Sequence, residues 1–161
     1  MAQVDYFLKI DGIPGESADK SHKDEIDLLS WSWGETNAGS HSAGGGGGAG
    51  KVVMNDFHFT MNVNKASPKL LLYCANGAHI PSALLTCRKA GKEQQEYIKI
   101  KFSDLLISSF QTGGSNGDVI PVDQISFNFS KIEYEYRPQD AKGGLGGVVA
   151  AKWDLKTNTG G

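Results

Sequence analysis

Val53-Met54-Asn55-Asp56-Phe57-His58-Phe59-Thr60-Met61-Asn62-Val63 alternates from end to end. Val53, Phe57, Phe59, Met61 and Val63 share one parity with Asn55, while Met54, Asp56, His58, Thr60 and Asn62 take the other. Successive side chains of an extended chain point to opposite faces, so a period of two marks a half-buried strand. The same period recurs downstream, where Ile98, Ile100 and Phe102 alternate with Tyr97, Lys99 and Lys101. A third run, Gln124 to Tyr136, changes phase: Ile125, Phe127 and Phe129 lie on one parity, and Ile132, Tyr134 and Tyr136 on the other. Either a bulge near Ser130-Lys131 or a long strand that leaves one sheet and joins another reconciles the two halves. Shorter candidates are Tyr6–Ile10, Ile26–Trp33, Ala83–Lys89 and Val148–Leu155. About seven strands result, enough for a sandwich or a closed barrel.

One segment reads as helix. Ser67 suits the N-cap, and Pro68 suits the first helical position, where its missing N–H costs nothing. Lys69 to Ala75 are good helix formers, and Asn76-Gly77 supplies a left-handed stop. The predicted helix is short and lies on the sheet by its leucine face. Turns are expected at Ile13-Pro14-Gly15 and Lys89-Ala90-Gly91, and a loop at 112–118. No repeat at solenoid spacing is visible.

A chain of 161 residues and 17.2 kDa fits a single domain over 1–161, large enough to fold without metal or disulfide. Sixteen basic and eighteen acidic side chains leave a net charge of −2, which gives no electrostatic case for nucleic acid or anionic lipid as partner. No apolar run approaches the ~18 residues of a membrane span, so membrane insertion is not expected. The N-terminus, Met1-Ala2-Gln3-Val4-Asp5-Tyr6, lacks a basic stretch followed by an apolar one, so no cleavable signal peptide is expected. Cys74 and Cys87 both sit in apolar runs and read as reduced core thiols made in the cytoplasm, with a disulfide left open.

Glycine supplies 21 of the residues, about twice its usual ~7% share. Gly44, Gly45, Gly46, Gly47, Gly48 and Gly50 form a tract ending at Lys51, inside a loop expected at about 38–51. A floppy hairpin loop and an arm ordered by a neighbour both fit. The second requires intermolecular contacts to offset an ordering cost of ~1–2 kcal/mol per residue. Gly45 to Lys51 also imitates a phosphate loop. Position 52 is Val rather than Ser or Thr, and a strand follows instead of the helix whose N-terminus would face the phosphates. Gly113-Gly114-Ser115-Asn116-Gly117 matches the G-x-S-x-G pattern, but a strand follows it too, where a nucleophile elbow needs a helix. His22, His41, His58 and His79 share no metal-ligand spacing, and Cys74, His79 and Cys87 lack a fourth ligand. Nothing here reads as catalytic, metal-binding or cofactor-binding.

Several stretches together resemble the Hcp family, the tube-forming secreted proteins of bacterial type VI secretion systems. They are Asp5-Tyr6-Phe7-Leu8-Lys9-Ile10; Gly15-Glu16-Ser17 with Asp19-Lys20 and His22; and Glu25-Ile26-Asp27-Leu28 leading into Trp31-Ser32-Trp33-Gly34. The glycine tract ending Gly50-Lys51, then Asn76-Gly77 and Arg88-Lys89-Ala90-Gly91, complete the set. The resemblance runs from Val4 to about Leu155. It implies a compact β-barrel of two antiparallel sheets with one short flanking α-helix, assembled as a homohexameric ring. It further implies that rings stack into a tube inside a contractile sheath, with a spike and a baseplate as partners, and that the lumen carries and protects small effector proteins. Export then takes the protein from the cytoplasm through the apparatus to the medium or a target cell. An extra C-terminal effector domain of the kind enzymatic members have is not expected. The resemblance also gives the glycine tract a use, as a loop reaching neighbouring subunits or the adjacent ring.

Parity places Leu29, Trp31 and Trp33 on one face, with the barrel core as destination, and turns Ser30 and Ser32 the other way. Ser32 is expected to line the lumen and touch cargo, although an ordinary exposed serine satisfies the same pattern. A small-ligand-binding barrel with Trp31 and Trp33 lining a pocket is the alternative reading of these residues.

Overall fold

The computed structural model describes residues 4–37, 52–89 and 95–161. Eleven strands and one helix follow in the order β1 (Val4–Ile10), β2 (Ile26–Asp27), β3 (Ser30–Ser32), β4 (Glu35–Asn37), β5 (Val52–Met54), β6 (Phe57–Asn62), α1 (Ser67–Asn76), β7 (Ile80–Lys89), β8 (Gln95–Gly113), β9 (Val122–Tyr136), β10 (Val149–Asp154) and β11 (Thr159–Gly160). Nine strands form one antiparallel sheet in the order β11-β10-β9-β8-β7-β1-β2, with β6 on β9 and β3 on β6; β4 and β5 make a separate two-stranded ribbon. The fold is mainly β with two sheets and one helix, as expected, but among the described residues the large sheet does not close into a barrel.

The long β8–β9 hairpin organises this sheet. β9 pairs with β6 over Val122–Phe127 and with β10 over Lys131–Tyr136, and both lie on its edge away from β8. Neither explanation of the phase change is realised as expected: β6 and β10 belong to the same nine-stranded sheet, and the β8–β9 register shows no bulge at Ser130-Lys131. Buried positions on β9 switch from Ile125, Phe127 and Phe129 to Ile132, and on β8 from Ile100 and Phe102 to Leu105 and Ile107. The register Phe102↔Ile132 and Leu105↔Phe129 is continuous across the switch. The break is a bend rather than an inserted residue. Asp104 supplies it with φ 57, a left-handed conformation that Asp tolerates better than most side chains. Its carboxylate accepts hydrogen bonds from Lys156 Nζ (2.6 Å) and Ser130 Oγ (3.3 Å) and lies 3.0 Å from His79 Nδ1. The Lys156 hydrogen bond, then that of His79, holds the Asp104 carboxyl below its ordinary range.

Phenylalanines fill the space inside the bend. Phe57 lies 4.8 Å from Phe102 and 5.0 Å from Phe127, centroid to centroid, and Phe102 lies 4.8 Å from Phe129. The rings are tilted against one another by 32–58°, and close aromatic pairs add ~0.5–1.5 kcal/mol each beyond the area they bury. The opening stretch splits at Asn55-Asp56. Phe57, Phe59 and Met61 point inward as their parity requires, but upstream of the break Met54 packs on the core while Val53 is exposed. Ile26–Trp33 also divides, into β2 and β3. Trp31 and Trp33 pack against the core as expected, but Leu29, at 52% exposure, does not join them.

The helix ends as read, on Gly77 at φ 66, and begins differently. Ala66, not Ser67, occupies the N-cap, with no side-chain cap. Ser67 Oγ instead donates to Asp123 Oδ2 at 2.6 Å, drawn away by a fully buried carboxylate whose other oxygen has no partner among the described residues. Leu70 is buried, while Leu71 and Leu72 remain 53% and 52% exposed, so a single leucine rather than a leucine face docks the helix. Cys74 is half-buried and free, contrary to the expectation of a core thiol. Cys87 is buried, and burial pushes its thiol up to about 12 against a small opposing effect of Trp31.

The segment between β1 and β2 is pinned by charge. Arg88, 3% exposed, donates Nη1 and Nη2 to Asp19 at 3.0 and 2.6 Å and Nη2 to Asp5 at 3.0 Å, and lies 4.8 Å over the Phe7 ring. His22 stacks on Phe7 at 4.4 Å, its nitrogens 2.8 and 2.6 Å from Glu25 and Glu96. Gly15 lets this segment approach β2, because a Cβ there would sit 2.5 Å from the Glu25 carbonyl oxygen. These are residues of the Gly15–Glu25 motif, so its spacing serves to fasten one loop.

Arg88→Met leaves Asp19 and Asp5 without their buried partner, and a loss of about 3–5 kcal/mol in urea unfolding is expected. The Arg88 hydrogen bonds, opposed by burial, hold Asp19 at about 2. A depressed native value stabilises above the unfolded value of ~3.9 and is lost as pH falls toward the native one. The gap in Tm between the wild type and Asp19→Asn should therefore be full at neutral pH and shrink between about pH 4 and pH 2; a constant gap contradicts the assignment. Ser67→Ala should cost more than the ~1 kcal/mol of an ordinary lost cap, because it orphans the Asp123 carboxylate.

Candidate functional site

Ser30 and Ser32 stand exposed at the edge of a four-stranded surface, β3-β6-β9-β8. Register aligns their neighbours into two rows across it. Ser30 faces Thr60, Thr60 faces Gln124, and Gln124 faces Gln111. Ser32 faces His58, His58 faces Ser126, and Ser126 faces Ser109. These eight positions carry hydroxyls, carboxamides and one imidazole, and no Lys, Arg, Asp or Glu. All of them but the buried Ser126 line a shallow depression on the sheet.

Hydrogen bonds within the face fix its geometry. The Ser30 and Thr60 hydroxyls lie 2.6 Å apart. A register shift in β8 between Ile107 and Ser109 makes Ser108 an extra residue, so Ser108 and Ser109 both reach the buried Ser126 Oγ, at 2.8 and 2.5 Å. Ser108 also donates to Asp56 Oδ2 at 2.6 Å, which places one carboxylate at the end of the face nearest the ribbon. A bulge that redirects side chains at a sheet edge is a common device at functional surfaces.

The opposite face of these strands is core. Trp31 meets Tyr6 edge-on at 6.2 Å and stacks on Phe57 at 6.1 Å. Trp33 Nε1 donates to the Asn55 carbonyl at 3.0 Å, and its ring rims a surface groove between the ribbon and β9–β10. Among the described residues Trp31 borders the depression on the polar sheet and Trp33 the groove beside the ribbon, so the two indoles are not brought to one pocket, as the ligand-binding barrel required. Ser115 donates to Asp118 Oδ2 at 2.8 Å inside the β8–β9 loop, between two strands rather than before a helix.

Two edges of the polar surface carry no strand partner among the described residues. β3 pairs with β6 alone, and β7 accompanies β8 only as far as Leu105, leaving 106–113 paired on the β9 side alone. Unpaired edges are templates for another chain. The loop expected at 38–51, with Gly44, Gly45, Gly46, Gly47, Gly48, Gly50 and Lys51, lies outside the described residues; the ribbon that carries it pairs Glu35↔Met54 and Asn37↔Val52. Parity alone finds Ser30 and Ser32. Their row-mates Thr60, His58, Gln124 and Gln111 were missed because cross-strand neighbours follow only from register.

A family model described as "Type VI secretion system effector, Hcp" matches residues 7–136. The chain is 46% identical over 157 residues to Protein hcp1 of Pseudomonas aeruginosa, covering 96% of this chain and 97% of that one. Among solved structures it is similar to Hcp1 from Salmonella typhimurium, with a TM-score of 0.81, 38% identity and 99% of each chain covered. It is also similar to a structure of a type six secretion system protein, with a TM-score of 0.92 and 30% identity over 99% of this chain and 100% of that one.

Ser126→Ala removes the oxygen on which Ser108 and Ser109 converge. A loss of about 1–2 kcal/mol in urea unfolding is expected, and an unchanged midpoint would show that these hydroxyls do not hold the bulge.

Proposed function

The chain belongs to the Hcp family, the tube proteins of the type VI secretion system, and from that premise we propose that six copies close into a ring with the β3-β6-β9-β8 surface facing the lumen. The observation that carries this reading is a polar, exposed sheet with an unpaired strand on each side. An edge on the left of one copy and an edge on the right of the next form a heterologous contact, and heterologous contacts repeat until the rotation closes. Pairing β3 of one copy with β8 of its neighbour would cover both liabilities at once.

The two ends of the surface differ, which supports stacking of rings in one sense. The β4–β5 ribbon leaves beside Asn55, whose N–H donates to the Gly34 carbonyl. At the other end Leu29, Val63, Val119 and Ile120 stand exposed around the Val63–Pro121 hydrogen bond. Unlike ends join head to tail. In this reading the loop at 38–51, with its glycines and Lys51, is the arm that reaches the adjacent subunit or ring. The stacked tube takes a spike at its tip and a sheath around it, grows from a baseplate, and holds small effector proteins before export. Family membership supports secretion, and no helix among the described residues is long and apolar enough to cross a membrane. No step calls for catalysis, a metal or a cofactor.

Light scattering on the purified protein, with negative-stain images of the same peak, tests the ring. Six times the 17.2 kDa chain mass and annular particles are expected, and a monomer at micromolar concentration contradicts it. Ser32→Gln in an intact ring should weaken the protection of a lumen-borne effector from proteolysis; unchanged protection would remove Ser32 from the cargo wall.

A further inference from the structure

Two Asn-Gly pairs occur in the chain, Asn76-Gly77 and Asn116-Gly117, and the fold treats them in opposite ways. An asparagine followed by glycine is the least hindered place for a backbone nitrogen to attack a side-chain carbonyl carbon, because glycine brings no Cβ to crowd the approach. The attack requires a free backbone nitrogen and a carboxamide that can swing onto it.

Neither condition holds at Asn76, the last residue of α1. The Gly77 N–H donates to the Tyr73 carbonyl at 3.1 Å, and Asn76 Oδ1 accepts from the Ala78 N–H at 2.9 Å. The cap that ends the helix therefore engages both reacting groups. Both conditions hold at Asn116, which stands exposed in the connection between β8 and β9. Among the described residues neither its carboxamide nor the Gly117 N–H has a hydrogen-bond partner, because the turn is closed around them instead. Asp118 N–H donates to the Ser115 carbonyl at 3.1 Å, and Ser115 Oγ donates to Asp118 Oδ2 at 2.8 Å. A Cβ placed on Gly117 would meet no atom within 4 Å, so the space beside the nitrogen is open.

We infer that Asn116 is a site of spontaneous covalent modification, converting to aspartate and isoaspartate in the folded protein while Asn76 remains an amide. The Gly117 backbone nitrogen gives up its proton to solvent and bonds to Asn116 Cγ. The Cγ–Nδ2 bond breaks, and the side-chain nitrogen takes up a proton and leaves as ammonia. A five-membered succinimide results. Water opening it at Cγ restores the ordinary backbone with an aspartate. Water opening it at the main-chain carbonyl carbon leaves the backbone running through the side chain, as isoaspartate. One water enters and one ammonia leaves. Either product adds one negative charge, beside Asp118, to a chain whose net charge is −2, in the loop that also exposes Val119 and Ile120.

The test holds the purified full chain in warm, mildly alkaline buffer, native or in urea, and follows it over days by peptide mass. Trypsin leaves Asn116 in the peptide 102–131 and Asn76 in the peptide 70–88. In the native protein the first should gain one mass unit at Asn116 and split into two chromatographic forms, at a rate that rises with pH. Asn76 should react at least about tenfold more slowly, since the helix cap must first open. In urea the two pairs should react at similar rates. Gly117→Ala is sterically free but crowds the attacking nitrogen, so it should slow the native reaction by about tenfold or more with an unchanged urea midpoint.

The inference is overturned if native Asn116 stays an amide over the days in which urea-unfolded Asn76 converts, or if native Asn76 keeps pace with it. A Gly117→Ala chain that gains mass at the wild-type rate also overturns it, since water would then remove the amide directly, without the Gly117 nitrogen.

Discussion

The bend shared by β8 and β9 is the constraint from which the rest of the molecule follows. At Asp104 and Ser130 both strands exchange their buried and exposed faces while the register between them stays continuous. One hairpin therefore supports β6 and β3 over its distal half, and β7 and β10 over its proximal half. The phenylalanines at 57, 102, 127 and 129 fill the angle so formed. Asp104 is the residue that makes the angle possible. It accepts a left-handed backbone, and its carboxylate ties β8 to Lys156, beyond β10, and to Ser130 on β9.

That geometry separates two surfaces of different chemistry. Proximal to the bend, cross-strand Lys and Glu pairs cover the sheet as on any solvated strand. Distal to it, hydroxyls and amides replace them, and the strands end in unpaired edges at β3 and at 106–113 of β8. One hairpin thus carries a charged half and a half lined by hydroxyls and amides, divided at the bend. The Arg88 cluster belongs to neither surface. It fixes the segment between β1 and β2, which explains why the Gly15–Glu25 motif is recognisable in sequence without contributing to the polar face.

Where a residue's fate depends on its immediate neighbours, the sequence is readable. The alternation of Phe57, Phe59 and Met61 shows their burial, Gly77 shows the helix stop, and the phase change between Phe129 and Ile132 shows where β9 is interrupted, although not that the interruption is a bend. Where fate depends on a distant partner, the reading fails. Ser67 looks like a cap because its attraction to Asp123 crosses 56 residues. β8 looks like six residues rather than nineteen because the turn of backbone at Asp104 and the bulge at Ser108 each interrupt the period of two. Ser32 is found by parity, but the row Ser32–His58–Ser126–Ser109 exists only once three registers are known.

Hydrogen exchange on the assembled protein tests the account at its centre. In a strand paired on one side only, the amides that point away from the partner have no acceptor within the chain. If β3 and the distal half of β8 meet in neighbouring copies, the outward amides of 30–32 and 106–113 should exchange as slowly as those of β6. Exchange at the rate of the open loop at 114–121, in particles of the full ring mass, would contradict edge-to-edge assembly and place the subunit contact elsewhere.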